Sequence, residues 1–293
     1  MLYLKLPMEN ELIASDILDA IKGSFPELRI SKIVINNRGW DNIIAIVNDD
    51  VVFRFPKNTS SEKRMKMEIK LIGMLTGFPV RLPEYTFLAE TGRFFAGYPF
   101  IPGVPLSSSS TLGKGILSDI TKILRYMREF PLSKCRLAGL PIHDNISWLT
   151  KQEEILGRFE QSLSILTGPG YFSELRKELI EALSGMSKDC LTLCHGDLYR
   201  GNVLISGRHD RIIGVIDWGD AFYGDYAFDI AAVALDFPSR HMKEILSNLS
   251  PEGDKTALER IFYYSKVEPL YLADNLMRKG HKEEASKVLE EIM

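Results

Sequence analysis

Apolar residues follow two rhythms along this chain. Short runs at 30–35, 43–47 and 51–55, bounded by polar clusters, predict strands. Asn48-Asp49-Asp50 predicts a hairpin turn, and Arg38-Gly39-Trp40-Asp41-Asn42 predicts a loop between two strands. Ahead of them, Leu12, Ile13, Ile17, Leu18 and Ile21 form one helical stripe over residues 9–22, ended by Gly23 and Pro26. The stretch FFAGYPFIPGVPL at 94–106 joins an apolar strand to prolines and glycines and marks a boundary. Beyond it the helical period dominates. Residues 107–111, SSSST, read as a helix start, and Ile116, Ile120, Ile123, Leu124 and Met127 share a stripe. Residues 151–187 read as two helices broken at Thr167-Gly168-Pro169-Gly170. After Asp229 the chain is again mostly helical, with Pro238, Pro251 and Pro269 as punctuation. Short runs at 191–194, 203–205 and 212–216 add strands to this half. The pattern predicts an α+β fold, with a small antiparallel sheet region first and a larger, mostly helical region second.

One cation interrupts this pattern. Along VVFRFP, strand alternation puts Val52 and Arg54 on one face and Val51, Phe53 and Phe55 on the other. Thr59 with Glu62 reads as a capping box for the next helix, on which Met65, Glu68, Ile69 and Ile72 share a face. An unpaired carboxylate there would be costly. Arg54 paired with Glu68 satisfies both, and the Arg could also reach phosphate oxygens.

Composition narrows the class. The chain has 293 residues, 45% of them apolar, enough for two domains with cores of their own. A net charge of −3, from 36 basic and 39 acidic residues, gives no bulk attraction for nucleic acid. No apolar run approaches the ~18 residues of a membrane span, and the start, MLYLKLPMENEL, lacks the long apolar core of a signal peptide. Three cysteines, an odd count in a large chain, argue against a disulfide framework. Cys190, Cys194 and His195 lack the second distant ligand pair that zinc requires. A cytoplasmic monomer, binding neither nucleic acid nor membrane, is expected.

The chemistry concentrates between Leu191 and Asp229. His195-Gly196-Asp197 follows the first strand of this region, Asn202 comes five residues after the Asp, and Asp217-Trp218-Gly219 follows the third strand. Two carboxylates and an amide at strand ends suit Mg²⁺, which takes one or two carboxylates together with substrate phosphates.

This spacing resembles the catalytic core of protein kinases. With His-Gly-Asp in place of His-Arg-Asp, it is more similar to the aminoglycoside phosphotransferase and choline kinase-like family. Residues 43–57, 94–106 and 216–229 resemble the aminoglycoside 2″-phosphotransferases in particular. The resemblance implies a bilobal kinase-like fold: an N-terminal nucleotide-binding lobe over 1–98, a hinge at 99–102, and a helical lobe with the catalytic loop and substrate site over 103–293. It implies Asp197 as catalytic residue, with Asn202 and Asp217 as Mg²⁺ ligands. For the nucleotide it implies Arg54, in a place usually held by Lys, with Glu68, and a hinge in which Tyr98 precedes the Pro99 carbonyl and the Ile101 amide. Leu204 and Ile216 would floor the base. The donor is ATP or GTP, a choice that backbone contacts leave open.

Asp217 is followed within twelve residues by Asp225 and Asp229, which enter the run IAAVAL. That leaves no room for a peptide-holding activation loop, so the acceptor is a small-molecule alcohol. Asp225 and Asp229 are expected to brace the catalytic loop or cap the next helix, and Asp220 and Arg200 stay open. An aminoglycoside, a polycation, needs an acidic pocket. Residues 251–293 hold nine acidic and seven basic residues, too even a balance to decide. Glu268 and Asp274, on a predicted helix, are the candidate substrate wall. The expected function is therefore Mg²⁺-dependent transfer of a γ-phosphate to an aminoglycoside-like acceptor. The rivals are a metabolite alcohol kinase, for a sugar, choline or homoserine type of acceptor, and a nucleotide-binding regulator without turnover.

Overall fold

The computed structural model describes residues 14–290 apart from 38, 40, 90, 91, 109–113, 169, 235–238 and 251–253. Predicted features at residues 9–13, Arg38, Trp40, 109–111, Pro169, Pro238 and Pro251 lie outside the described residues. The chain divides into two compact units, residues 1–69 with 83–100 and residues 70–82 with 101–293.

The first unit opens with helix α1 (Ala14–Ser24), followed by strands β1 (Ile33–Asn36), β2 (Asn42–Val47) and β3 (Val51–Pro56). Helix α2 (Thr59–Ile72) begins in this unit, which then adds β4 (Phe87–Ala89) and β5 (Phe95–Pro99). The strands form one antiparallel sheet in the order β1-β2-β3-β5-β4. Asn48 and Asp49, both at positive φ, turn the β2–β3 hairpin in the left-handed conformation that tight hairpins favour. The Asn48 amide anchors that turn, accepting the backbone N–H groups of Ser31 and Lys32 and donating to the Arg29 carbonyl.

Strand alternation decides which residues meet. Val51, Phe53 and Phe55 join Ile17 and Ile21 of α1, Ile43, Ala45, Val47 and Phe95 in one core. Phe55 and Phe95 stack with ring centroids 4.4 Å apart. The opposite face of β3 receives Glu68 of α2. The α2 cap differs from the expected Thr59–Glu62 box by one residue. Asn58 accepts the Ser61 backbone N–H through its side chain at 2.9 Å, while Glu62 pairs with Lys66. Asn is as good an N-cap as Thr, and the helix starts one residue after it.

The second unit contains β6 (Val104–Pro105), α3 (Lys114–Glu129), α4 (Leu132–Ala138), α5 (Asn145–Thr167) and α6 (Tyr171–Leu183). Next come β7 (Leu191–Cys194), β8 (Val203–Ile205), β9 (Ile212–Val215) and β10 (Phe222–Asp225). Helices α7 (Ala227–Ala234), α8 (Ser239–Leu249), α9 (Ala257–Arg278) and α10 (Lys282–Glu290) complete it. Asp144 and Ser147 cap α5 reciprocally, and Gly168 ends it at φ 81°. β7 pairs with β10, and β8 lies between β6 and β9. Pro269, expected as punctuation, sits inside α9 without ending it. An interior proline removes a backbone bond and crowds the preceding turn. Here α9 is packed against α5, α6, α7 and α10, which holds it continuous. The fold is α+β, as expected: an antiparallel sheet in the N-terminal region and a larger helical C-terminal part.

Candidate active site

β7 delivers the loop that carries Asp197. Its last residue, Cys194, pairs with Phe222 of β10, and the chain then turns at His195-Gly196-Asp197. Gly196 has φ +81°, and a Cβ there would meet the Asp220 carbonyl oxygen at 2.1 Å. Only glycine fits. The His195 ring is fully buried, 4.5 Å from Trp218 between ring centroids. Its Nδ1 accepts the Asp197 backbone N–H at 3.2 Å, so its Nε2 carries the hydrogen and donates to the Ile216 carbonyl at 3.1 Å. This tautomer is assigned from the hydrogen-bond pattern. Burial pushes the imidazole down to about 4, against the opposing pull of Asp217 and of the bond to Ile216, so the ring is neutral at physiological pH.

Asn202 reaches back to Asp197. Its Nδ2 donates to the Asp197 carbonyl at 2.9 Å and to Oδ2 of the same residue at 2.8 Å. Burial, with the Asp217 and Asp220 carboxylates nearby, pushes Asp197 up to about 7, while the Asn202 bond opposes the rise. The Ile216 N–H donates to the Asn202 carbonyl at 3.0 Å. Both main-chain groups of Ile216 are thus tied to the loop that carries Asp197, one to Asn202 and one to His195. Asp217 follows directly, in the left-handed region at φ +66°, which is uncommon for a residue other than glycine.

A second carboxylate holds the loop from beneath. Asp229 Oδ2 accepts the His195 N–H at 2.6 Å and Oδ1 accepts the Gly196 N–H at 3.0 Å. Burial still pushes this carboxyl up to about 7. Asp225 instead accepts the Ala227 N–H at the start of α7 through Oδ1. Its Oδ2 accepts from Arg260 Nε and from the Tyr264 hydroxyl, each at 2.7 Å. Arg260 is fully buried and also grips both oxygens of Asp254, at 2.9 and 2.8 Å. One of the two aspartates braces the loop and the other caps the helix and anchors α9. Sequence reasoning missed Arg260, although a cation among Ala257, Ile261 and Tyr264 at helical spacing is the same signal that singled out Arg54.

In the first unit, Arg54 Nη1 donates to both oxygens of Glu68, at 2.8 and 2.9 Å, and to the Tyr85 hydroxyl at 2.9 Å. Both charged residues are buried. Tyr85 lies in an irregular stretch, where no period of the sequence reveals it. Lys57 donates to the Asn37 and Gly39 carbonyls and so holds the loop between β1 and β2. Pro99 is exposed at the end of β5, opposite Val51. In the second unit, Ile101 and Leu204 are buried and Ile216 is half-buried.

The other candidates are dispersed. Glu268 is exposed on α9. Asp274 is buried and committed: Ser162 Oγ donates to it at 2.5 Å, and Arg158 and Arg278 lie 3.5 and 3.2 Å away. Arg200 donates to the Leu106 carbonyl. Cys194 donates to the Asp225 carbonyl and Cys190 to Asp254.

The donor set that could hold a cation is Asn202 with Asp217. Among the described residues no cluster of three His, Cys, Asp or Glu is placed to hold a metal. An amide oxygen and a carboxylate are hard donors, and so few of them suit an ion that takes its remaining ligands from phosphates and water. The residues present therefore fit Mg²⁺. Among the described residues no helix is long and apolar enough to cross a membrane.

The same architecture recurs in solved structures. The GDP and kanamycin complex of APH(2″)-IIIa superposes with a TM-score of 0.81 at 20% identity, over 94% of this chain and 97% of that one. Macrolide 2′-phosphotransferase type I matches with a TM-score of 0.73 at 20% identity, over 97% and 99%. The macrolide 2′-phosphotransferase MphH from Brachybacterium faecium gives 0.72 at 20% identity, over 92% and 98%. At such identities the likeness is one of fold. The sequence pattern of the phosphotransferase enzyme family, however, matches residues 32–252, most of the chain and all of the loop that carries Asp197, Asn202 and Asp217. The chain belongs to the phosphotransferase enzyme family and is a small-molecule phosphotransferase acting on a hydroxyl group.

Proposed function

We propose that this enzyme transfers the γ-phosphoryl group of ATP or GTP to a hydroxyl of an aminoglycoside-like acceptor, with Mg²⁺ required. The observation that carries the reading is the bond from Asn202 Nδ2 to Asp197 Oδ2, made while Ile216 ties Asp217 to the same loop. It supports Asp197 as the group that orients the acceptor hydroxyl and takes its proton, within reach of the two residues that would hold the metal. Asn202 Nδ2 is occupied by Asp197, which leaves its amide oxygen as the coordinating atom, alongside the Asp217 carboxylate. When bound there, Mg²⁺ would offset the charge of the phosphates. Arg54, fixed by Glu68, would contact phosphate oxygens; the Pro99 carbonyl and Ile101 amide would bind the base, and Leu204 and Ile216 would pack beneath it. Positioning and charge complementarity supply most of the catalysis in phosphoryl transfer.

Structures of similar fold carry GDP in APH(2″)-IIIa and ATP in a streptomycin complex of APH(2″)-IIa, so both donors belong in the test. One observation favours a second acceptor class. Asp274, proposed for the substrate wall, already faces Ser162, Arg158 and Arg278, which leaves less negative charge for a polycation. A macrolide or a metabolite alcohol is that second reading.

The experiment is a phosphate-transfer screen of the purified enzyme, with ATP and GTP in parallel, against aminoglycosides, macrolides and metabolite alcohols. Transfer to an aminoglycoside that Asp197→Ala lowers by orders of magnitude, with nucleotide binding retained, is the expected result. Near wild-type turnover in Asp197→Ala would remove the catalytic assignment. Transfer to another alcohol alone would establish the second reading.

A further inference from the structure

The Tyr264 hydroxyl joins three elements of the second unit. It comes from α9, accepts the Trp148 indole N–H of α5 at 2.7 Å, and donates to Asp225 Oδ2 of β10, also at 2.7 Å. All three side chains are buried. Asp225 takes two further donors, Arg260 and the Ala227 N–H, so it meets the tyrosine as an acceptor. Burial, with Asp225 close by, keeps the Tyr264 hydroxyl protonated against the opposing pull of the Trp148 bond. Its hydrogen is spent on Asp225, and a lone pair serves the indole, which has no acceptor role of its own. From the indole, ring contacts lead to the loop that carries Asp197. Trp148 stacks on Phe222 of β10, at 4.9 Å between centroids and 19° between planes. Phe222 pairs with Cys194, and its Cδ1 lies 3.2 Å from where a Cβ on Gly196 would sit. Gly224 leaves room for the stack: a Cβ there would meet Phe222 Cε2 at 2.6 Å and Trp148 Cε3 at 3.4 Å. Groups packed this closely in a core pass a displacement on to their neighbours.

We propose that Tyr264 is a positioning residue for Asp197: its hydroxyl holds the Trp148–Phe222 stack in place against Gly196, and through it the carboxylate that follows. This rests on the reading of Asp197 as the catalytic group. Losing the hydroxyl leaves a buried indole N–H without an acceptor, a cost that the ring relieves only by moving. Phe222 then moves with it. The nucleotide contacts assigned to Arg54, Pro99 and Ile101 lie on other elements, so Tyr264 governs turnover rather than donor affinity.

The test is a double-variant cycle on the full chain with Tyr264→Phe, Trp148→Phe and the two combined, together with Asp197→Ala. The readouts are kcat for phosphate transfer from ATP and from GTP to kanamycin and, without it, to water; the dissociation constant of each nucleotide; tryptophan emission; and Tm. Each single variant keeps a ring and removes one half of the same hydrogen bond. In both, kcat should fall about tenfold, since small misplacements of a catalytic group are costly. Nucleotide affinity should stay within about twofold. The double variant should fall no more than about twofold below either single one. Tyr264→Phe should shift the emission spectrum of the native chain and leave that of Trp148→Phe unchanged. Tm should drop by a few degrees in each case. The proposal is overturned if Tyr264→Phe keeps kcat within about twofold while Tm falls; the bond is then structural only. It is overturned equally if nucleotide affinity falls as far as kcat, or if the two single effects multiply in the double variant. Should Tyr264→Phe fail to fold, Trp148→Phe carries the same expectation and the same refutation. If Asp197→Ala itself turns over normally, the underlying reading of Asp197 fails, and the proposal with it.

Discussion

Gly196 and Asp220 approach so closely that a Cβ on the glycine would lie 2.1 Å from the aspartate carbonyl oxygen. The loop residue before Asp197 is therefore bare for a steric reason, and its φ of +81° points the same way. Gly196→Ala must push the Asp220 segment away or refold the loop. The expected outcome is a fall in kcat of about a hundredfold, since small misplacements of a catalytic group are costly. Tm should drop by several degrees. Steady-state kinetics and thermal melts check both.

Asn202 is predicted to have two separable uses. Asn202→Ala removes the donor to Asp197 and the oxygen proposed to hold Mg²⁺. The Mg²⁺ concentration for half-maximal turnover should rise about tenfold or more, as found when groups that tune a metal site are lost. A Mg²⁺ titration at saturating nucleotide measures this. An unchanged midpoint would take Asn202 out of the metal's ligands.

Arg260 pairs with two aspartates, Asp225 and Asp254, whose side chains are buried with it. Arg260→Met keeps the bulk and leaves both carboxylates without their partner. Breaking a buried pair in this way costs about 3–5 kcal/mol, and urea unfolding should show it. Because Asp225 caps α7 in the chain segment that leads to Asp229, turnover should fall even where the variant stays folded.

The pH dependence of stability follows from His195. Its folded value is about 4 and the unfolded reference is 6.5. Between those values the unfolded chain binds the proton and the folded chain does not. His195 therefore contributes stability that is full above about 6.5 and is lost as pH falls toward 4. Asp229, pushed up to about 7, acts in the opposite direction across the same range, because its folded form keeps a proton that the unfolded form releases. The difference between wild type and His195→Gln isolates the imidazole. Their unfolding free energies should converge by about 3 kcal/mol as pH falls from 7 to 4.

Much of this was legible in the chain because spacing and period carry it. Asp197, Asn202 and Asp217 stand out through short-range spacing at strand ends. Arg54 and Glu68 are found by crossing strand alternation with helical period, since burial makes each demand a partner. What stayed hidden depends on contacts between distant segments. Tyr85 reaches Arg54 across 31 residues from an irregular stretch. Arg260 meets Asp225 across 35 residues, and the buried role of His195 follows from Ile216, 21 residues away. Pro269 misleads in the other direction: local propensity says break, and packing on four helices overrides it. The cap at Asn58 in place of Thr59 shows how neighbouring residues of equal capping strength leave a helix start uncertain by one position.

Ile216 restrains the loop that carries Asp197 through its amide and carbonyl, and every amino acid except proline offers the same two groups. Its side chain is thereby uncoupled from the placement of Asp217. A library at this single position could reshape the floor we assign to the base pocket, and with it the choice between purines, while the carboxylate next door stays in register. Donor preference in this enzyme should accordingly be easy to evolve, and hard to damage by doing so.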